Sequence, residues 1–147
     1  MAKPTRTDPY SVGNFRIEIA SITVGSFRKC AGLKSETEVF ELQEGGENEV
    51  TYKLVGPTKA SNIVLTRGFI DGASLFDWRR KFISGEDRSR RNGSIIAMAA
   101  DSNTDVGRWN FTKAWPVRWE MTDFDAMSGE AACEILELAV ETISKVS

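Results

Sequence analysis

The chain has 147 residues, 41% hydrophobic and 27% charged, which is the composition of one ordinary globular domain with a single core. Nineteen basic residues against twenty-one acidic ones leave a formal charge of -2, so no global cationic field exists to hold nucleic acid or an anionic membrane surface. The absence of histidine removes His-based acid–base catalysis, the Ser-His and Cys-His pairs and nearly all catalytic zinc sites.

Residues 1–9 are polar, carry Pro4 and Pro9, and lack the apolar run of a secretory signal. A flexible segment of about residues 1–12 is expected to lead into one domain that takes up the rest of 1–147. No stretch approaches the ~18 apolar residues of a membrane helix. No stable membrane contact is therefore expected, and synthesis in a reducing cytoplasm fits Cys30 and Cys133, which form no CxxC motif or disulfide framework. Residues 14–21 alternate, with Phe15, Ile17 and Ile19 on one side and Asn14, Arg16 and Glu18 on the other, predicting a half-buried strand. Residues 33–43 are β-compatible without a clean polar face, because Glu36 and Glu38 share a side with Phe40 and Leu42. The polar stretch Gln43, Glu44, Gly45, Gly46, Glu47 and Asn48 reads as the tip of a long hairpin arm, and Gly56-Pro57 is expected to end the following apolar run.

After a β-rich run at 62–70, Leu75, Trp78 and Phe82 recur at i, i+3 and i+7. Asp71 and Ser74 are candidate N-caps and Gly85 a C-terminal cap, which predicts one helix over about 72–84. Residues 94–100 form a small-apolar run suited to a strand covered on both faces. From Trp109 the odd positions Trp109, Phe111, Trp115, Val117, Trp119 and Met121 are apolar, and Lys113 alone breaks that face. This predicts a long strand laying a wall of rings on the core, with an edge or bulge at Pro116. At the C-terminus two readings stay open. Glu130, Glu134, Glu137, Glu141 and Lys145 are spaced as a helical polar face, which the periodicity favours, whereas a strand would send Leu136, Leu138 and Val140 inward.

No motif carries chemistry. The run Asp101-Ser-Asn103-Thr-Asp105 begins like a calcium loop but has Val106 and Thr112 where Gly and Glu belong, so a hairpin turn is expected. No carboxylate pair sits in an apolar setting that would separate two pKa values. No catalytic, cofactor-binding or metal-binding residue is expected. Arg79, Arg80 and Lys81 with Arg88, Arg90 and Arg91 make a local cationic region without interleaved aromatics, better suited to an acidic protein partner than to nucleic acid.

The runs Arg90-Arg-Asn-Gly-Ser-Ile95, Arg108-Trp-Asn-Phe-Thr-Lys-Ala-Trp-Pro-Val-Arg-Trp119 and Glu134-Ile-Leu-Glu-Leu-Ala139 closely resemble the tail tube proteins of contractile phages and of phage-tail-like contractile injection systems. The likeness extends over roughly 14–145. The resemblance implies a mainly β protein, a small antiparallel β-barrel or sandwich with one flanking helix, whose subunits form six-membered rings that stack into a hollow tube. It also implies that the C-terminal segment is a strand. Under it, the arm residues 43–48 reach a neighbouring ring, Arg79 and Arg80 face a sheath, and Glu137 and Glu141 face a channel that cargo or DNA passes. The implied partners are further copies of the chain, sheath, baseplate or hub and terminator proteins, in a virion tail or in an extracellular or membrane-anchored injection particle. The alternative from another class is a monomeric β-barrel binding a small apolar ligand against its aromatic strand.

Overall fold

The computed structural model describes residues 14–20, 27–43, 45, 50–68, 74–100 and 104–146. Strand β1 (Phe15–Ile19) follows its alternation: Ile17 and Ile19 are buried while Arg16 and Glu18 are exposed. It pairs antiparallel with β6 (Arg91–Met98), where Ser94, Ile95 and Ile96 are buried in succession. Ile95 enters the core. Ile96 is buried on the other face, in register between Arg16 and Arg108, whose guanidinium groups pair with Glu18 at 3.2 Å each.

β7 (Asp105–Met121) ties the structure together. Its first half lies between β6 and β9 (Thr142–Val146), and its second half pairs with β8 (Cys133–Ala139). The change falls at Lys113, in the left-handed region at φ 53, whose N–H donates to Asn92 Oδ1 at 3.1 Å. This kink shifts the phase of the strand, so the expected continuous odd-numbered wall does not form and Ala114 is buried in place of Lys113. The register shifts again between Pro116 and Arg118, which places the residue without an N–H at a bulge.

The C-terminus is strand, and the helical spacing of its glutamates misleads for an identifiable reason. Glu134 is not on a polar face: it points into the core side of β8 with Leu136 and Leu138, while Glu137 points away. β8 and β9 continue one ladder along β7, with Trp115 opposite Ala139 and Thr112 opposite Thr142, and Glu141 N–H donates to Thr112 O at 3.0 Å across the bend.

A second bent hairpin joins β2 (Lys29–Ala31) and β3 (Ser35–Leu42) to β4 (Tyr52–Ala60) and β5 (Ile63–Gly68). Lys29 opposes Thr66, Ala31 opposes Val64, and Ser35 opposes Ala60 in continuous register. Its near half is part of the main sheet, in the order β1-β6-β7-β8-β5-β2, and its far half is a separate two-stranded ribbon. Gly32 sits at the junction with φ 95, where an added Cβ would lie 2.1 Å from Asn62 O. The strand does not stop at Gly56-Pro57, because the register shift between Thr37 and Val39 accommodates the proline.

Helix α1 (Ser74–Ser84) puts Leu75 and Trp78 into the core, stacks Phe82 on Trp115 at 5.1 Å and sets Phe76 edge-on to Trp119 at 4.8 Å. Gly85, at φ 80, caps it. Ile17, Ile19, Ile63, Leu65, Ile95, Phe111, Ala114, Leu136 and Leu138 complete one apolar cluster enclosed by the folded sheet and the helix. The sheet does not close: among the described residues β1 and β2 end it without pairing to each other, so the single chain is an open sandwich and not a closed barrel.

Candidate functional site

The ribbon of β3 and β4 has no core of its own. All eight residues of β3 are exposed. Cross-strand pairing sets Phe40 against Leu54 and Leu42 against Tyr52 on one face, where the Phe40 ring also lies over Gly56. Val39 opposes Val55 on the other face, and Val55 is 88% exposed. A two-stranded ribbon with both faces uncovered is marginal by itself in water, and contiguous exposed apolar side chains of this kind mark interaction surfaces. Residues 34–60 also carry six glutamates against three lysines, which makes the arm the acidic part of a near-neutral protein. Of the tip residues read from the sequence, Gln43 and Gly45 are described; Glu44, Gly46, Glu47 and Asn48 lie outside the described residues.

Beneath the helix, Arg67 on β5 pairs with Glu134 on β8 at 3.0 Å, with side chains 4% and 5% exposed, and Trp119 Nε1 donates to the other oxygen of Glu134 at 2.8 Å. The ion pair thus fixes the indole on which Phe76 of the helix rests. Sequence reasoning missed it, since its members lie 67 positions apart.

The cationic region is largely consumed within the chain. Arg79, expected outward, is half-buried with Nη1 donating to Pro116 O at 2.9 Å, because the bulge at Pro116 turns that carbonyl toward the helix. Arg80 is exposed beside Asp77 and Glu86. Arg90 pairs with Glu141 at 2.6 Å. Arg91 reaches Asp87 and Ala20 O and lies over the Trp78 ring. Hydrogen bonds from the Ser89 hydroxyl and N–H, with Arg91 beside them, hold Asp87 below the usual carboxylate range. Glu137 and Glu141 are both off the core. Glu137 accepts from Asn62 at 3.4 Å with Arg118 beyond, whereas Glu141 sits at the β8–β9 bend between Arg90 and Lys113.

Between the two terminal strands opens a cavity of about 600 Å³. Phe15, Leu33, Val106 and Trp109 line it, with Arg28, Lys29 and Lys145 around them and Lys145 over the Trp109 ring at 5.9 Å. Cys30 lies in the same wall, and burial pushes its thiol up to about 11, so it is protonated at neutral pH.

An open β-sandwich whose two terminal strands each leave one edge free, with an uncovered ribbon beside it, is the build of a structural protein and not of an enclosed catalytic site. Residues 12–144 match the family described as T4-like virus tail tube protein gp19, and the chain belongs to that family. A chain in a structure described as the anti-feeding prophage (AFP) baseplate, 6-fold symmetrised, is 26% identical with a TM-score of 0.86 over 97% of this chain and 98% of that one. A chain of an extracellular contractile injection system, from the PVC sheath-tube complex in extended state, is 23% identical with a TM-score of 0.83 over 95% and 92%. The SPP1 tail tube shares the fold at 16% identity, with a TM-score of 0.58 over 93% and 78%. No curated protein sequence matches. The expected family and the mainly β fold with its flanking helix are therefore as read from the sequence motifs.

Proposed function

We propose that six copies of the chain form a ring, and that rings stack into the hollow inner tube of a contractile tail or injection particle. The uncovered β3–β4 ribbon carries this reading, because its apolar faces are satisfied only by other subunits. Membership of the tail tube family and the likeness to chains from a 6-fold baseplate and a sheath-tube complex support it. Sheath, baseplate and terminator proteins are the corresponding partners, and the role is structural, not enzymatic. The test is electron microscopy of a variant lacking residues 45–48. It should fold and form rings but no long tubes, whereas tubes of normal length would show that the arm tip is not an inter-ring contact.

Two further assignments belong to this reading. Arg80, the exposed member of the expected pair, contacts the sheath through weak, screened charge complementarity compatible with sliding. Arg80→Glu should leave tube formation intact and impair sheath assembly around it, and normal sheath polymerisation on that tube would place the contact elsewhere. The face of β8 carrying Glu137, with Glu141 at its end, lines the channel and repels polyanionic cargo. Glu137→Gln with Glu141→Gln should preserve the tube and change cargo or DNA retention. Unchanged retention over a range of salt would remove these glutamates from the lumen.

A further inference from the structure

Most charged side chains of the described residues are ion-paired within the chain, among them Lys59 with Glu38 in the ribbon, Arg16 and Arg108 with Glu18 on the outer face of β1, and Arg80 with Glu86 at the helix end. Two groups without an ion pair are clustered by sign, one acidic and one basic. Asp123, Asp125 and Glu130 occupy the loop between β7 and β8, whose residues 122–132 contain no basic residue, and none of the three has a cationic partner among the described residues. Arg28, Lys29 and Lys145 surround the apolar cavity between β1 and β2; Arg28 donates to Cys133 Sγ at 3.3 Å and Lys145 lies over the Trp109 ring, and none of the three has a carboxylate partner among the described residues. No acidic side chain is among the described residues that line that cavity.

The acidic loop also presents two large apolar side chains to solvent, Phe124 at 81% exposure and Met127 at 93%. It is held in shape by its own hydrogen bonds. Asp125 Oδ1 accepts from Met127 N–H at 3.0 Å, Asp125 O accepts from Ser128 N–H at 3.1 Å, and Thr122 Oγ1 accepts from Cys133 N–H at 2.9 Å. An ordered loop lowers the entropy lost on docking, and a pair of exposed apolar side chains within acidic surroundings is an anchor looking for an apolar recess with a cationic rim. The cavity at Trp109 is such a recess, and at about 600 Å³ it falls within the ~300–1,000 Å³ of sites that enclose a ligand's apolar groups. The loop does not fill its own chain's cavity, given the exposure of both side chains.

We propose that the loop of one copy seats Phe124 and Met127 in the cavity of a second copy, with Asp123, Asp125 and Glu130 facing Arg28, Lys29 and Lys145. The contact joins two different patches of identical chains. It is therefore head to tail and repeats along an assembly without a new surface. It rests on the tube reading above and adds a second contact independent of the ribbon.

The test uses tubes of the full chain in a Cys30→Ala background, which removes the cavity's own thiol. Met127→Cys tubes and Lys145→Cys tubes should each give no disulfide-linked dimer on mild oxidation, and tubes assembled from a mixture of the two should give dimers. In a second arm, Asp123→Lys with Asp125→Lys should raise the concentration needed for assembly about tenfold, and adding Lys29→Glu with Lys145→Glu should restore it. Tubes that form normally from the mixture without a cross-link overturn the docking while leaving the tube reading in place. So does a cross-link from Met127→Cys to sheath or terminator protein, or a small apolar molecule retained in the cavity of assembled tubes by native mass spectrometry. Failure of the unsubstituted chain to form rings or tubes, alone or with baseplate components, overturns the tube reading and the docking with it.

Discussion

Leu138→Glu should leave no folded protein. Leu138 is fully buried on β8, opposite Ile63 and Pro116, inside a cluster of aliphatic and aromatic side chains that offers a carboxylate no partner. The substitution loses the packing of a buried leucine, about 2–5 kcal/mol, and adds the cost of desolvating an acid, several kcal/mol more. Together these match the ~5–15 kcal/mol that hold a typical domain. Expression of the variant should give aggregated chain without near-ultraviolet circular dichroism. Glu137→Leu, one residue away on the opposite face, should remain soluble and melt cooperatively. This contrast between neighbours is what a strand requires, and a folded Leu138→Glu protein would sink the placement of β8.

Glu134→Ala should be the most destabilising change at a charged position. It strands the Arg67 guanidinium, whose side chain is 4% exposed, and takes the acceptor from Trp119 Nε1. Removing one partner of a buried pair costs about 3–5 kcal/mol, which for a chain of this size lowers the melting temperature by roughly 10–20 °C. Arg67→Met combined with Glu134→Leu should recover most of that loss, since a buried pair replaced by apolar residues of similar volume is often close to neutral. Equal destabilisation of the single and double variants, measured by urea unfolding, would show that the damage comes from repacking and not from the unpaired charge. Because Trp119 carries Phe76, the single variant should also loosen the helix, visible as faster amide exchange over 74–84.

The ribbon and the loop share a physical theme. Each is an apolar surface that the single chain leaves in water, and each is ordered by local hydrogen bonds or strand pairing before any partner arrives.

Local pattern by itself determined β1, where Ile17 and Ile19 alternate with Arg16 and Glu18, and α1, where Leu75, Trp78 and Phe82 recur at helical spacing before Gly85. The aromatic run from Trp109 to Trp119, with its flanking motifs, was enough to identify the family. The absence of histidine was plain from composition. Tertiary structure decided the rest. Spacing cannot separate a glutamate that is polar because it faces water from one that is buried against an arginine 67 positions away, so Glu134 lent the C-terminus a helical period that the fold does not use. Nor does Gly56-Pro57 reveal that a register shift in the opposite strand will carry the ribbon past it. Lys113 looked like a flaw in an apolar face until its left-handed turn showed that the strand changes phase there. In each case the deciding partner is distant in sequence, because strands are stabilised by neighbours that the chain supplies only after it has folded, whereas a helix closes its hydrogen bonds within a few residues.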